Sequence, residues 1–154
     1  MSASSPTYRL YRTFTRWPGG RALFSRALCF KAPYFRNIRP QVEVLEPGRS
    51  VWRMSKRRAV ENHLGTVHAL AMGNLCELAA GTLMEASLPS NLRWIPKGMT
   101  IDYLAKAKTD LVGEACHGDL ATSRGDVPVE VVVRDRKGEA VVKATITMYV
   151  SERQ

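Results

Sequence analysis

The alternation of apolar and polar positions divides the chain into a helical beginning, one long apolar helix and a series of strands. Near the start, Leu10, Phe14 and Trp17 recur at helical spacing opposite Arg9, Arg12 and Arg16, until Pro18-Gly19-Gly20 breaks the pattern. Arg21 to Phe30 reads as a second short helix, and Pro33 to Pro40 as extended chain. Val42 to Leu45 and Ser50 to Val60 are strand candidates joined by a turn at Glu46-Pro47-Gly48-Arg49. In the second, Trp52, Met54, Lys56 and Arg58 share one side by period two. Asn62 to Thr66 reads as a loop, with Thr66 as N-cap of a helix that starts near Val67 and is closed off by Pro89-Ser90-Asn91. Arg93 to Gly98 reads as a short connection. Four strands follow. Met99 to Ala107 alternates with polar residues, and Leu111 to Leu120 is interrupted by Gly113 and Gly118. Val127 to Val133 and Val142 to Val150 alternate cleanly across a hairpin turn at Lys137-Gly138.

The helix after Thr66 has no charged face. Ala, Leu and Met dominate it, and between Ala69 and Met84 its one ionisable carboxylate is Glu77, with Asn74 a turn earlier. A helix apolar nearly all round is a buried helix. One buried helix and about six antiparallel strands make an α+β domain. A single helix leaves sheet edges and apolar surface uncovered, which a second copy of the chain would cover.

Glu77 is therefore the residue to explain. Burial disfavours the charged form of a carboxylate, and that is how such a group becomes a base near neutral pH. Pairing with an arginine, or reaching solvent, is the competing reading. The preceding loop and first turn hold Asn62, His63, Gly65 and His68. A helix N-terminus offers free N–H groups and partial positive charge for an anion or a developing oxyanion. That end lies about 13 Å along the axis from Glu77. The two can flank one reacting group only if the substrate lies along the helix or a second copy supplies one part.

Asn62, His68 and Glu77, at this spacing around the start of a buried helix, resemble the phenylacetate-pathway branch of the hotdog-fold thioesterases. The run Asn62 to Ala69, Glu77-Leu78-Ala79-Ala80-Gly81 and Arg93 to Met99 are similar to a bacterial hotdog group known as a domain of unknown function. The resemblance covers roughly Tyr34 to Val150. It implies a hotdog fold, a long central helix wrapped by an antiparallel sheet, in a homodimer that can pair again into a dimer of dimers, with active sites between subunits. It implies an acyl thioester substrate, with coenzyme A as part of the substrate and no separate cofactor. Glu77 takes the acidic position, as general base or nucleophile; Asn62 takes the loop amide; His68 takes the His of a His-Gly-Gly motif; and the N–H near Ala69 takes the oxyanion donor. Gly65 and Asn74 join the expected binding site, and Arg93, Lys97 and Lys106 are candidates for the nucleotide phosphates. The family's Gly-Gly is Ala69-Leu70 here, which adds bulk where glycine lets a backbone approach a ligand.

Composition changes the picture mainly at the N-terminus. The chain has 154 residues, 45% hydrophobic and 24% charged, as expected of one globular domain. Its net charge of +9 is concentrated in residues 1 to 40, where Arg9, Arg12, Arg16, Arg21, Arg26, Lys31, Arg36 and Arg39 meet no acid before Glu43. We expect a basic helical arm, 1–40, packed on a hotdog domain, 41–154, with its arginines drawing in an anionic substrate. A membrane surface ranks second, and nucleic acid is not expected. Cys29, Cys76 and Cys116 show no paired spacing, and the three histidines do not have metal-ligand spacing, so neither a disulfide framework nor a metal site is expected. A reducing, cytoplasmic location suits these thiols.

Two other functions fit the same residues. A non-catalytic hotdog module would hold an acyl-CoA or fatty acyl group without turning it over, as the missing Gly-Gly suggests. A hotdog hydratase or dehydratase would use His68 and Glu77 for proton transfer.

Overall fold

The computed structural model describes residues 4–154. Six strands form one antiparallel sheet: β1 (Gln41–Glu46), β2 (Arg49–Met54), β3 (Leu92–Tyr103), β4 (Leu111–Cys116), β5 (Gly125–Arg134) and β6 (Ala140–Glu152). Their order across the sheet is β1-β2-β4-β5-β6-β3. This is the α+β architecture expected, with the apolar helix Ala69–Ser87 lying across the sheet and packing mainly on β2 and β4. Period two does the rest. Val127, Val129, Val131 and Val133 of β5, and Val142, Ala144, Ile146, Met148 and Val150 of β6, all point into the core.

The helical arm sits on the same core. α1 (Pro6–Phe14) starts with Ser5 as N-cap, its hydroxyl accepting the Tyr8 N–H at 3.1 Å, and Pro6 in the first turn. α2 (Gly20–Lys31) begins after Gly19, whose positive φ makes the corner. Tyr11 packs edge-on against Phe24, and Phe24 lies 6.3 Å from the Trp52 ring. The inward face of α1 is Thr7, Tyr11 and Phe14 rather than Leu10, Phe14 and Trp17. Leu10 and Trp17 stand in solvent, because the Thr15 turn ends the helix before Trp17 can share its face.

Four sequence expectations need correction. Pro33–Ile38 is a 3-10 turn, not extended chain, and it buries Ile38. β2 stops at Met54 because the Lys56 N–H leaves the ladder for the Asp110 carboxylate (2.8 Å), and Arg58–Val60 is another 3-10 turn. The helix, α3, is capped by His68, not Thr66. Thr66 is held back in the loop by Asn62, and the Val67 N–H goes to the Ala107 carbonyl. Arg93 to Gly98 is not a connection but the first half of β3, which pairs with β6 from Leu92 to Tyr103 with an irregularity between Pro96 and Gly98. Pro96 is tolerated there because β3 is an edge strand and the missing N–H breaks no second ladder. The strand ends at Tyr103, short of Ala107.

Candidate functional site

Glu77 lies along a seam between α3 and the edge strand β3. The two run antiparallel, in step. At one end the Tyr103 hydroxyl donates to the Ala69 carbonyl (3.2 Å). In the middle, Met99 and Ile101 cover Gly73. At the far end Trp94 lies on Gly81 and donates its indole N–H to Glu85 (2.9 Å). Ala69, Gly73, Glu77, Gly81 and Glu85 are spaced by four, so they form one ridge inclined to the helix axis, which β3 follows. The glycines let the strand's side chains close on the helix. A Cβ at Gly81 would lie 2.9 Å from the Trp94 ring.

Glu77 stands in the middle of that ridge and is half-buried rather than enclosed. The sequence led us to expect full burial. From Met72 onward α3 is buried except at Glu77, Glu85 and Ser87, and β3 is the last strand of the sheet on that side. Glu77 borders two clefts. One, of about 260 Å³, is formed with Pro96, Lys97, Gly98, Met99 and Ile146. The other, of about 240 Å³, is walled mostly by apolar side chains, Leu28, Phe35, Leu78 and Trp94, with Lys31 and Glu85 also lining it. No ion pair engages Glu77 among the described residues.

The loop before α3 is knitted by Asn62. Its carboxamide oxygen accepts from the Leu64 N–H (2.9 Å) and the Thr66 N–H (3.2 Å), and its amide donates to the Thr66 hydroxyl (2.9 Å). Gly65, at φ 72°, makes the turn. The His68 Nδ1 accepts from the Leu70 N–H at 3.0 Å, so of the first-turn amides that of Ala69 is left without a protein acceptor among the described residues. Asn62, Ala69 and Lys106 share one groove with Thr66, Met72 and Tyr103. His68 and Asn74 share another with Tyr34, Asn37 and Ala71. Asn74 is buried, and its carboxamide oxygen finds no partner among the described residues.

Within one chain the nominated residues thus fall into three clefts rather than one. Glu77 and Lys97 border the cleft at β3; Asn62, Ala69 and Lys106 lie at the start of α3; His68 and Asn74 lie on its other side; Arg93 and Gly65 line none of them. Lys97 already pairs with Asp126 (2.8 Å) and sits over the Tyr149 ring, while the Arg93 guanidinium contacts the Ser151 hydroxyl. Sequence reading missed Trp94, Met99 and Tyr103 as wall residues of the seam. The i, i+4 run of small residues on α3 was the signal that a strand would approach there. Among the described residues no cluster of His, Cys, Asp or Glu is placed to hold a metal, and no helix is long and apolar enough to cross a membrane.

The comparisons with known proteins agree with this fold. A structural-genomics protein of 41% identity superposes with a TM-score of 0.86, over 96% of this chain and 99% of that one. A Pseudomonas aeruginosa protein of unknown function, described as a probable thioesterase, is 26% identical with a TM-score of 0.77, over 89% and 97% of the two chains. A Streptococcus mutans protein solved with acetyl-CoA bound shares the fold at 21% identity and a TM-score of 0.63, over 73% of this chain and 89% of that one. No curated protein matches the sequence. The chain has the hotdog fold. Residues 20–150 match the family described as Domain of unknown function (DUF4442), and the protein belongs to that family, a thioesterase-like group of the hotdog fold.

Proposed function

We propose that the protein hydrolyses an acyl thioester, most simply an acyl-CoA, in the seam between α3 and β3. The observation that carries this reading is the position of Glu77, an unpaired carboxylate between an open cleft on β3 and an apolar cleft the size of a short acyl group. In this reading Glu77 takes a proton from water as the water oxygen adds to the thioester carbonyl. The tetrahedral intermediate then expels the thiolate, which recovers the proton, leaving a carboxylic acid and a free thiol. The Ala69 N–H of a second copy is the oxyanion donor, and the groove beside it that holds His68 and Asn74 takes more distant polar atoms of the substrate. The probable-thioesterase description of the Pseudomonas aeruginosa relative and the acetyl-CoA in the Streptococcus mutans structure support the substrate class.

The active unit in this reading is a homodimer. β3 is twelve residues long and almost wholly exposed, with Ile95, Met99 and Tyr103 in solvent and one edge unpaired. Pairing two β3 edges antiparallel sets the two α3 helices antiparallel as well. The N-terminus of one helix then approaches the later turns of the other, where Glu77 stands, which removes the 13 Å separation of about two and a half turns within one chain.

A non-catalytic acyl-binding module is the second reading. It is favoured by Leu70, whose N–H is spent on His68 and whose side chain occupies the place of a family glycine. Free-thiol release from a panel of acyl-CoAs, by wild type and Glu77→Gln, separates the two. Loss of about 100-fold or more in Glu77→Gln, with its melting temperature kept, supports the hydrolase. Binding without turnover by wild type supports the module. Turnover indifferent to Glu77→Gln removes Glu77 from the mechanism.

A further inference from the structure

We propose that the outer face of α2, with the arginine-lined pocket beside it, docks on the phosphate headgroups of an anionic lipid surface. This rests on the helical arm and not on the thioesterase reading.

The pocket, of about 480 Å³, opens between α2, the 3-10 turn Pro33–Ile38 and the start of β1. Arg26, Arg36 and Arg39 line it with Ser25, Cys29 and Phe30. None of the three arginines has an ion-pair partner among the described residues, and no acid precedes Glu43 in the chain. The cations are crowded besides. Arg39 is held in the left-handed region, at φ 45°, and its charge, after burial, weakens the ionisation of Arg57. The Arg57 Nε is itself buried without a partner. A concave group of guanidiniums with no carboxylate lacks its counterion, and a phosphate oxygen pair fits the guanidinium fork.

The rim selects the source of that phosphate. Leu23, Arg26 and Phe30 fall at i, i+3 and i+7 on one face of α2. Leu23 is 53% and Phe30 90% exposed, and Trp17, on the turn before α2, is 73% exposed. A soluble phosphate ester would use the arginines but leave these apolar side chains in water. A lipid surface takes both, with aromatic and aliphatic groups at the acyl boundary and arginines among headgroups. The inward residues Phe24 and Leu28 hold the helix on the core, so the outward stripe is presented rigidly.

The test is sedimentation of the full chain with vesicles of phosphatidylcholine alone and of phosphatidylcholine mixed with phosphatidylglycerol. The expected result is partition onto the anionic vesicles only, weakening as salt rises. The triple variant Arg26→Gln, Arg36→Gln, Arg39→Gln should lose roughly 100-fold in partition, from the contribution of each basic residue near an anionic surface. Phe30→Ser, a change at a side chain in open solvent, should lose several-fold with the fold intact by circular dichroism. Absence of wild-type binding to anionic vesicles overturns the proposal, as does equal binding to neutral ones or a Phe30→Ser variant that binds like wild type. Inorganic phosphate binding calorimetrically to wild type, and displacing it completely from vesicles, assigns the pocket to a soluble ligand and also overturns it.

Discussion

The His68 Nδ1 accepts the Leu70 amide hydrogen at 3.0 Å, so the histidine nominated for chemistry is also the N-cap of the central helix. The bond fixes the neutral ring with its proton on Nε2, leaving that atom a donor. His68→Ala should therefore destabilise the fold by about 1 kcal/mol, as loss of a cap does. His68→Asn keeps a side-chain acceptor at the same place and should restore most of that stability in urea unfolding. If thioester turnover stays low in His68→Asn while stability returns, the ring serves the substrate as well as the helix. If turnover returns too, His68 is a cap alone.

At Gly81 the Trp94 ring of the edge strand closes on the central helix. A valine there drives its side chain into the Trp94 ring, which lies 2.9 Å from the position of a Cβ and is tied by its N–H to Glu85. Gly81→Val should cost about 1–3 kcal/mol by overpacking. The check is the midpoint of urea unfolding followed by tryptophan fluorescence. Trp94→Leu in the same background should recover part of the loss, because it removes the obstructing ring.

Asp110 closes the end of β2 by accepting the Lys56 N–H and pairing with Arg136 (2.9 Å). These contacts hold its carboxyl below the usual carboxylate range, the backbone N–H first and Arg136 next. Its folded ionisation thus lies below its unfolded value of about 3.9. The stability it contributes is present above that unfolded value and is lost as pH falls through the folded one. Asp110→Asn should flatten the acid limb of a melting-temperature profile below about pH 4. An unchanged acid limb would show that the contacts do not persist in solution.

The three thiols should separate by reactivity. Burial pushes Cys76, inside α3, up to about 12, and Cys29 is buried and raised by the same cause. Cys116 is exposed at the end of β4, beside Glu114. All three thiols are raised, Cys116 by partial burial and by Glu114, so exposure decides the order: a thiol reagent at neutral pH should label Cys116 first, Cys29 in the wall of the arginine-lined pocket more slowly and Cys76 not at all in the native protein, and all three in guanidinium. Fast labelling of Cys76 in the native state would mean that α3 opens from the sheet.

Much of the candidate site was legible as residue types and little of it as an arrangement. Glu77 stood out because it is the one carboxylate between Ala69 and Met84 of an apolar helix, and that contrast is local. What Glu77 faces was not legible, because Arg93 to Gly98 carries Pro and Gly and reads as a connection. Only pairing with β6 across some fifty residues makes it a strand. Thr66 has the chemistry of a cap, yet His68 fills the role, since the Asn62 amide claims the Thr66 hydroxyl first.

The sequence alone determined the α+β class, the central helix and the alternation that buries one face of β5 and β6. These follow from periods of 3.6 and 2 read over a few turns or residues. It also determined the uneven charge of the arm. The tertiary structure decided strand order, the placement of β3 at an open edge and the half-exposure of Glu77. It also decided that α2 presents Leu23 and Phe30 to solvent beside unpaired arginines. Those depend on which hydrogen-bonding edges and apolar faces meet over long separations, and the local pattern of a segment is the same whether its edge is covered or bare.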